Sequence, residues 1–133
     1  MEPIVLREED PPEGAVVLIR GGEMTASFVA RSATAAHDEL GIYALSVFLA
    51  IDQGVSELCA DQPVLLRYGK VRLSTVGRVR SHGFPLLPTL GRPHDDIVLP
   101  DLTAPTLDRL EQCFDPPIPN PARPPGGSDA SLR

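Results

Sequence analysis

Two uninterrupted apolar runs constrain the fold more than any other feature of this chain. AVVLIR (residues 15–20) and IYALSVFLA (residues 42–50) have the length and composition of strands that are buried on both faces. Between the runs, apolar residues recur at helical spacing: Phe28, Val29, Ala33, Ala36 and Leu40. Gly41 then provides a natural helix stop. This succession of strand, helix and strand predicts an α/β domain.

The rest of the chain continues the alternation of strands and helices. Further strands are expected at 70–75 (KVRLST), 84–89 (FPLLPT) and 96–100 (DIVLP). Helical segments are expected near 56–60, after Pro63, after Thr75, and from Asp101 or Thr103 to Phe114. Strands that alternate with helices favour βαβ units. The sequence therefore predicts a single layered α/β domain, with a mixed, mostly parallel sheet of about five strands and three to four helices.

Composition divides the chain into three parts. Residues 1–14 form an acidic arm that ends in prolines and Gly14, and residues 15–115 hold the predicted domain. Residues 116–133 are rich in proline and poor in apolar groups, so they bury too little surface to offset the entropy of ordering. We expect disorder beyond Arg123, whereas Pro116 to Pro121 can lie along the domain as extended polyproline with Ile118 as an anchor.

Charge is distributed unevenly along the chain. Residues 1–61 hold eleven acidic and three basic side chains, and residues 95–133 hold seven acidic and three basic ones. Residues 62–94 contain no acidic residue and six basic ones, which we call the basic island: Arg67, Lys70, Arg72, Arg78, Arg80 and Arg92. The net charge of −6 disfavours nonspecific binding of nucleic acid, but the island can still hold a phosphate locally.

The centre of the island, RLSTVGRVR, contains the best candidate for an anion site. Arg72 and Ser74 share one face of a strand, and a helix that begins after Thr75 would present free backbone N–H groups. The full set of anion-binding candidates adds Arg78 and Arg80, together with Arg20, which ends the first strand before two glycines. His82 and Arg72 are the catalytic candidates, as proton carrier and charge stabiliser. Alternatively, these arginines pair with the acidic flanks and keep a surface solvated.

We interpret the other residues that could take part in catalysis or metal binding as structural. The His94-Asp95-Asp96 run is typical of turn chemistry, since one histidine is too few for a metal site. Ser46 lacks a G-x-S-x-G elbow and is not interpreted as a nucleophile. Cys59 and Cys113 are expected to be reduced, buried thiols of a cytoplasmic protein. We expect no cofactor, no metal and no membrane association, because the longest apolar stretch (residues 42–51) is too short to span a bilayer.

Four segments in order carry a resemblance: GIYALSVF, KVRLSTVGRVRSHGF, HDDIVLPDL and CFDPPIPNP. Through them the chain resembles a family of small proteins from high-GC bacteria, over about residues 15–121. The resemblance implies a full-length bacterial gene product. No activity is assigned to that family, so it supplies no catalytic residues.

A second, narrower resemblance is to ADP-ribosyltransferase-like toxins. Those proteins use an arginine at the end of an early strand, a Ser-Thr pair on another strand and a later catalytic glutamate. Arg20 and Ser74-Thr75 match the first two positions. The third is missing, because the only later glutamate is Glu111 on the final predicted helix.

Two functional hypotheses follow from the sequence. The first is a non-catalytic protein-interaction module of a bacterial two-gene, toxin–antitoxin-like locus, since opposed charge patches orient and accelerate association. The second is a ribonuclease-like or other phosphate-handling toxin that uses the Arg72, Arg78, Arg80 and His82 group. A protein partner is expected in the first case, and RNA or a phosphate-bearing ligand in the second. Whether the chain is an enzyme stays open at this point.

Overall fold

One sheet organises the described residues, which in the computed structural model are 11–21, 25–88 and 93–123. Its strands are β1 (Val16–Arg20), β2 (Tyr43–Ala50), β3 (Lys70–Thr75), β4 (Leu86–Leu87), β5 (His94–Leu99) and β6 (Ile118–Pro119). The helices are α1 (Ala26–Leu40), α2 (Val55–Asp61), α3 (Val76–Ser81) and α4 (Ala104–Gln112), with a 3₁₀ turn at Leu65–Arg67. The strand order is β4-β5-β2-β1-β3-β6, and every neighbouring pair is antiparallel.

The prediction of a mostly parallel sheet of about five strands is wrong. The structure has six antiparallel strands and four α-helices among its described residues. An apolar run indicates that both faces of a strand are buried. It does not indicate whether the strand runs parallel or antiparallel to its neighbours. Both faces of β1 are covered here: Val17 and Leu18 are fully buried on opposite sides of the sheet.

Helices on the first face of the sheet form the larger core. Val29 and Ala33 of α1, Val79 of α3 and Leu110 of α4 are buried against this face, and Phe84 fills the space beside them. Burial of these aliphatic side chains stabilises the fold without any tryptophan.

The second face carries a smaller core. Leu58 and Cys59 of α2, with Leu65 of the 3₁₀ turn, pack on Leu18 and Val71. The rest of this face, over β2 and β5, is also largely buried, and Ser46 of β2 is a partly buried position within it.

The ends of α1 form where the sequence predicts them. The Thr25 hydroxyl accepts a hydrogen bond from the Phe28 N–H at 3.1 Å and caps the first turn. Gly41 ends the helix with φ of +82°, a conformation that costs glycine little because it has no Cβ. The helix predicted between the two apolar runs, with its stop at Gly41, is thus confirmed.

The carboxylate of Asp101 organises the start of α4. Its Oδ1 accepts hydrogen bonds from the Thr106 hydroxyl at 2.6 Å, the Thr103 hydroxyl at 2.7 Å and the Thr103 N–H at 3.0 Å. These bonds, that from Thr106 foremost, lower the pKa of Asp101. Asp101 and Thr103 therefore act together at the helix start, where the sequence offered them as alternatives.

The chain after α4 folds back along the edge of β3. The Asp115 N–H donates to the Leu73 carbonyl at 2.8 Å, and β6 pairs with Lys70 and Val71. Asn120 is 1% exposed, and its amide donates to the carbonyls of Leu65 and Tyr68 at 2.8 Å each. The anchor of this segment is therefore Asn120, whereas Ile118 is 37% exposed. The expected disorder beyond Arg123 lies outside the described residues.

Candidate functional site

Arg72, the first candidate of the basic island, is buried and bound to the chain's own groups. Its side chain is 7% exposed. Nε donates to the Asp115 carbonyl at 2.8 Å, Nη2 to the Phe114 carbonyl at 3.4 Å, and Nη1 lies 3.5 Å from the Glu111 carboxylate. Carbonyls at and after the end of a helix lack partners within the helix. Arg72 supplies donors to this end of α4.

Arg78 and His82 join the same arrangement. Arg78 Nη1 forms an ion pair with Asp115 at 2.7 Å, and Nη2 donates to the Gln112 carbonyl at 3.2 Å. His82 Nδ1 lies 2.8 Å from the Arg78 carbonyl oxygen, which fixes the ring beside its own helix. The guanidinium groups of Arg72 and Arg78 therefore both point at the chain that follows α4.

Ser74 and Thr75 also have local partners. The Thr75 hydroxyl accepts a hydrogen bond from the Arg78 N–H at 3.2 Å, and the Ser74 hydroxyl donates to the Thr75 carbonyl at 3.5 Å. Arg80 follows in the same short helix and is half-buried. The structure thus brings Arg72 and Arg78 of the basic island to the end of α4, while Arg67 and Lys70 lie elsewhere and Arg92 lies outside the described residues.

Arg20 lies at the other end of the same strand pair. In the antiparallel register of β1 and β3, Arg20 is opposite Val71, whereas Ser74 is opposite Val17. The three-residue separation along the strand amounts to about 10 Å. Arg20 and the Ser74-Thr75 pair are therefore not brought together as the toxin resemblance requires.

A second group of cations lies near Tyr68, where β1 ends and β3 begins. Arg20 donates through Nε to the Tyr68 hydroxyl at 3.3 Å and lies 5.9 Å from the ring centroid. The Lys70 carbonyl accepts from the Gly21 N–H at 2.9 Å, and because Arg20 shares a sheet face with Val71, the Lys70 side chain starts on the opposite face. We call this group of four cations at one end of the β1–β3 pair the basic patch: Arg20, Arg67, Lys70 and Arg123.

The C-terminal segment supplies the last member of the basic patch. Arg123 Nη1 donates to the Arg67 carbonyl at 3.4 Å, and the buried Asn120 holds this segment against Tyr68. Arg67 and Lys70 are exposed, and the other two cations are partly exposed. The two ion pairs found within the described ranges, Arg72–Glu111 and Arg78–Asp115, include no member of the patch.

A polar cleft of about 300 Å³ lies beside the patch. Its polar wall is formed by Arg20, Ser46, His94 and Asp96. Leu18 pairs with Phe48, so the same register continued by two residues aligns Arg20 with Ser46, and Ser46 pairs with Asp96. Paired residues point to the same side of a sheet, so three polar side chains from three strands form one row on the second face.

A chain of hydrogen bonds crosses this row. The Ser46 hydroxyl lies 3.1 Å from His94 Nε2 and donates to Asp96 Oδ1 at 3.5 Å. His94 Nδ1 is buried without a hydrogen-bond partner, and the ring meets Phe48 edge-on with centroids 5.5 Å apart. A proton on His94 Nδ1 would be an N–H group buried without an acceptor. We therefore assign the proton to Nε2, so that His94 Nε2–H donates to the Ser46 hydroxyl and the Ser46 O–H donates to Asp96.

This order of groups differs from a Ser-His-Asp catalytic triad. In a triad the carboxylate orients the histidine through Nδ1, and the histidine then removes the serine proton. Here Ser46 is the middle group, its proton points to Asp96, and His94 Nδ1 has no partner. This arrangement therefore does not activate Ser46 as a nucleophile.

The sequence interpretation of the cleft residues needs correction. His94, Asp95 and Asp96 are part of strand β5, not a turn, and alternation puts His94 and Asp96 on one face with Asp95 on the other. Ser46 was passed over because its strand is otherwise apolar. The H-x-D alternation was visible in the sequence, but its partnership with Ser46 and Arg20 depends on the register of three strands.

Both cysteines are free and buried, as the sequence predicts. Burial raises the pKa of Cys113 to about 11, against the opposing effect of Arg78 and Arg109, and it also raises the pKa of Cys59. Both thiols are therefore protonated near neutral pH. Among the described residues, no three His, Cys, Asp or Glu side chains converge as metal ligands would.

Comparison with protein-family models, with curated proteins and with solved structures finds no match to this chain. Within the part of the chain that the structure describes, no helix is long and apolar enough to cross a membrane. The geometry of the basic patch and the polar cleft is thus the basis for any functional assignment.

Proposed function

We propose that this chain is a non-catalytic interaction module that binds an acidic segment of a protein partner through the basic patch. The observation that carries the proposal is that four cations lie at one end of the β1–β3 pair, near Tyr68, none of them in an ion pair within the described ranges. In line with the sequence hypothesis, we propose that the partner is encoded beside it in a two-gene, toxin–antitoxin-like locus.

The surroundings of the patch favour a protein over a nucleic acid. Leu66 and Ile118, the two large exposed hydrophobic side chains among the described residues, adjoin it: Leu66 precedes Arg67, and Ile118 pairs with Val71. Protein interfaces are enriched in tyrosine and arginine and combine them with apolar contacts. The net charge of −6 repels a polyphosphate backbone at long range, whereas a short acidic protein segment needs only local complementarity.

The phosphate-handling alternative requires arginine side chains that already form hydrogen bonds or ion pairs within the chain. Arg72 would have to release two backbone carbonyls and Glu111 before it met a phosphate. Arg78 would have to leave Asp115, with which it forms an ion pair. These costs favour the interaction module, and no contact of His82 supports a role as proton carrier.

The test is capture of the partner from native cells with tagged full-length chain. Three baits are compared: the unaltered chain, the double variant Arg67→Glu/Lys70→Glu, and the matched control Arg31→Glu on the exposed surface of α1. We expect a specific protein, encoded by the neighbouring gene, with the first and third baits and its loss with the second. With purified partner, the affinity should fall as salt rises, because exposed charges are screened.

Two outcomes would overturn the proposal. Equal recovery with all three baits would show that the patch is not the interface. Recovery that RNase treatment abolishes would point to RNA as the partner. The ribonuclease-like alternative is tested directly by inducible expression, with growth and RNA integrity as the readouts. Growth arrest with RNA breakdown, relieved by His82→Ala in a folded protein, would establish that alternative.

A further inference from the structure

We propose that the segment 117–120 protects one edge of the sheet and prevents a second copy of this chain from pairing there. The residues of the segment that face β3 keep their backbone N–H groups, whereas the residues that face away from β3 are prolines. The inference goes beyond the proposed partner interface and does not rest on it.

The segment lies at the end of the sheet. In the strand order β6 comes last, so β3 is its one neighbour among the described strands. Residues 115–119 are exposed, and Ile118 is one of the two large hydrophobic side chains exposed among the described residues. An exposed edge strand is a template to which the same strand of a second molecule can be added. With free N–H groups on its outer side, this edge would favour self-association.

The residues that face β3 donate to it. The Asn120 N–H donates to the Gly69 carbonyl at 2.9 Å, and Ile118, two residues earlier, pairs with Val71. In an antiparallel ladder, the backbone groups of every second residue point to the same neighbouring strand. Ile118 and Asn120 therefore both direct their backbone groups at β3.

The alternate residues face away from β3. Pro119 pairs with Lys70, and the Lys70 carbonyl accepts from the Gly21 N–H at the end of β1. Pro119 and Lys70 are thus a non-hydrogen-bonded pair, in which the backbone groups of Pro119 point away from the sheet. Pro117 has the same direction by alternation. Because proline has no N–H, the outer side of the segment presents carbonyls at these two positions and no donor.

A second copy would meet the same prolines. Two identical strands pair antiparallel about a twofold axis, and each contributes the same residues. With Ile118 opposite its own copy, Pro117 of each molecule lies opposite Pro119 of the other. Two such pairs would normally form two N–H···O bonds each, and all four donor positions are prolines. The unaltered chain therefore makes none of these four bonds.

The prolines flank the residue that would otherwise stabilise such a dimer. The two Ile118 side chains would form a non-hydrogen-bonded pair, in which Cα atoms lie about 4.5 Å apart and side chains are closest. Contact between them would remove apolar surface from water and favour association. Carbonyls left without donors at the same interface oppose association. An exposed isoleucine is thus compatible with a monomer at this edge.

The test restores the missing donors in the full-length chain. Pro119→Thr supplies two of the four bonds, and Pro117→Thr/Pro119→Thr supplies all of them. Threonine suits an edge strand and has a polar side chain. Sedimentation and the concentration dependence of ¹H–¹⁵N NMR shifts measure association up to about 1 mM chain. We expect no association of the unaltered chain through this edge, and a dimer that is about tenfold or more tighter for the double variant than for Pro119→Thr.

Two further variants serve as controls. Pro121→Thr makes the same chemical change at an exposed position in the turn after β6 and leaves Pro117 and Pro119 in place, so it should stay monomeric. Ile118→Ser, added to the double variant, should weaken the dimer about tenfold or more, because the central apolar contact is lost. The backbone amide signal of Asn120 reports in each variant whether the segment is still paired with β3. If the double variant fails this check, Pro117→Thr and Pro119→Thr provide the test singly.

Three results would overturn the inference. The first is dimerisation of the unaltered chain with shifts at residues 117–119, and the second is equal association of Pro121→Thr and the double variant. The third is a double variant that stays monomeric at about 1 mM while its segment remains paired with β3. The measurement uses the purified chain alone, so its outcome is distinguishable from success or failure of partner capture at the basic patch.

Discussion

The arginines of this chain fall into two groups that differ in what lies within reach of their guanidinium groups. Arg72 and Arg78 lie beneath the end of α4, where backbone carbonyls need donors, and both are bound to them. Arg20 and Arg67 lie beside Tyr68, at the end of the short 3₁₀ turn, and neither has an ion-pair partner within the described residues. The comparison teaches that a run of positive charge in a sequence does not by itself identify a binding surface.

The difference has a physical origin. The last carbonyls of a helix carry a partial negative charge and attract cations, so an arginine that reaches them is stabilised in place. An arginine beside a tyrosine ring gains a weaker contact and keeps most of its charge available. The first group is therefore expected to determine stability, and the second to determine binding. Four substitutions test this division.

The largest effect is expected from Arg72→Met, which keeps a long side chain and removes every hydrogen bond of the guanidinium group. The free energy of unfolding should fall by about 3 kcal/mol, because the carbonyls of Phe114 and Asp115 lose the charged donor that the buried Arg72 supplies. Urea denaturation measures the change. Labelling of the Cys113 thiol should also accelerate in the folded state, since Cys113 lies immediately before this junction.

The exposed Arg31→Met substitution on α1 is the matched control and should change the stability little. If Arg72→Met lowered the free energy of unfolding no more than this control, the proposal that Arg72 stabilises the chain at the end of α4 would be wrong.

The next effect is expected from Asn120→Ala, at the anchor that places Arg123 in the basic patch. The free energy of unfolding should fall by about 2 kcal/mol, because two carbonyls lose the donors that the Asn120 amide supplies. Labelling of Cys59 should increase more than labelling of Cys113, since Cys59 and Ala122 pack in the same cluster on the second face. Pro121→Ala, at an exposed neighbouring position, serves as the control, and equal effects would rule out Asn120 as the anchor.

A smaller effect is expected from Arg78→Ala. The Arg78 side chain is 36% exposed and that of Asp115 60%, so solvent screens the ion pair and its loss should cost about 1 kcal/mol or less. Thermal unfolding at low and high salt measures it, and the difference between variant and parent should shrink as salt rises. A salt-independent loss of several kcal/mol would assign Arg78 to the same class as Arg72.

The smallest effect on stability is expected from Lys70→Ala in the basic patch. Lys70 is exposed, and no ion pair within the described residues involves it. The free energy of unfolding should change by less than about 0.5 kcal/mol, while the affinity for an acidic partner should fall. Urea denaturation and partner titration on the same preparation check both statements. A stability loss comparable to that of Arg72→Met would erase the distinction between the two groups.

Local structure was accessible from the sequence because it depends on neighbours along the chain. Thr25 and Gly41 mark the ends of α1, and the alternation of KVRLST predicts β3 and its two faces. The course of the C-terminal segment was less accessible, since Ile118 looks like the anchor in sequence. In the structure Asn120 takes that role, because its side-chain amide donates hydrogen bonds to two carbonyls near the 3₁₀ turn.

The candidate site was only partly accessible. Arg20 was identified from its place at the end of a strand, and it belongs to both the patch and the cleft. The other cleft residues were identified as turn or core residues, because Ser46 and Asp96 gain chemical meaning only when strand register places them side by side.

The sequence by itself determined the elements of this protein: two strands buried on both faces, a capped helix between them, and a basic island between acidic flanks. Tertiary structure alone decided strand direction, the pairing of Arg72 and Arg78 with the end of α4, and the contacts of Arg20 with Tyr68 and of Arg123 with Arg67. The physical reason is that periodicity and capping act between residues a few positions apart. Charge pairing and cleft formation act between residues that are close only after the chain has folded.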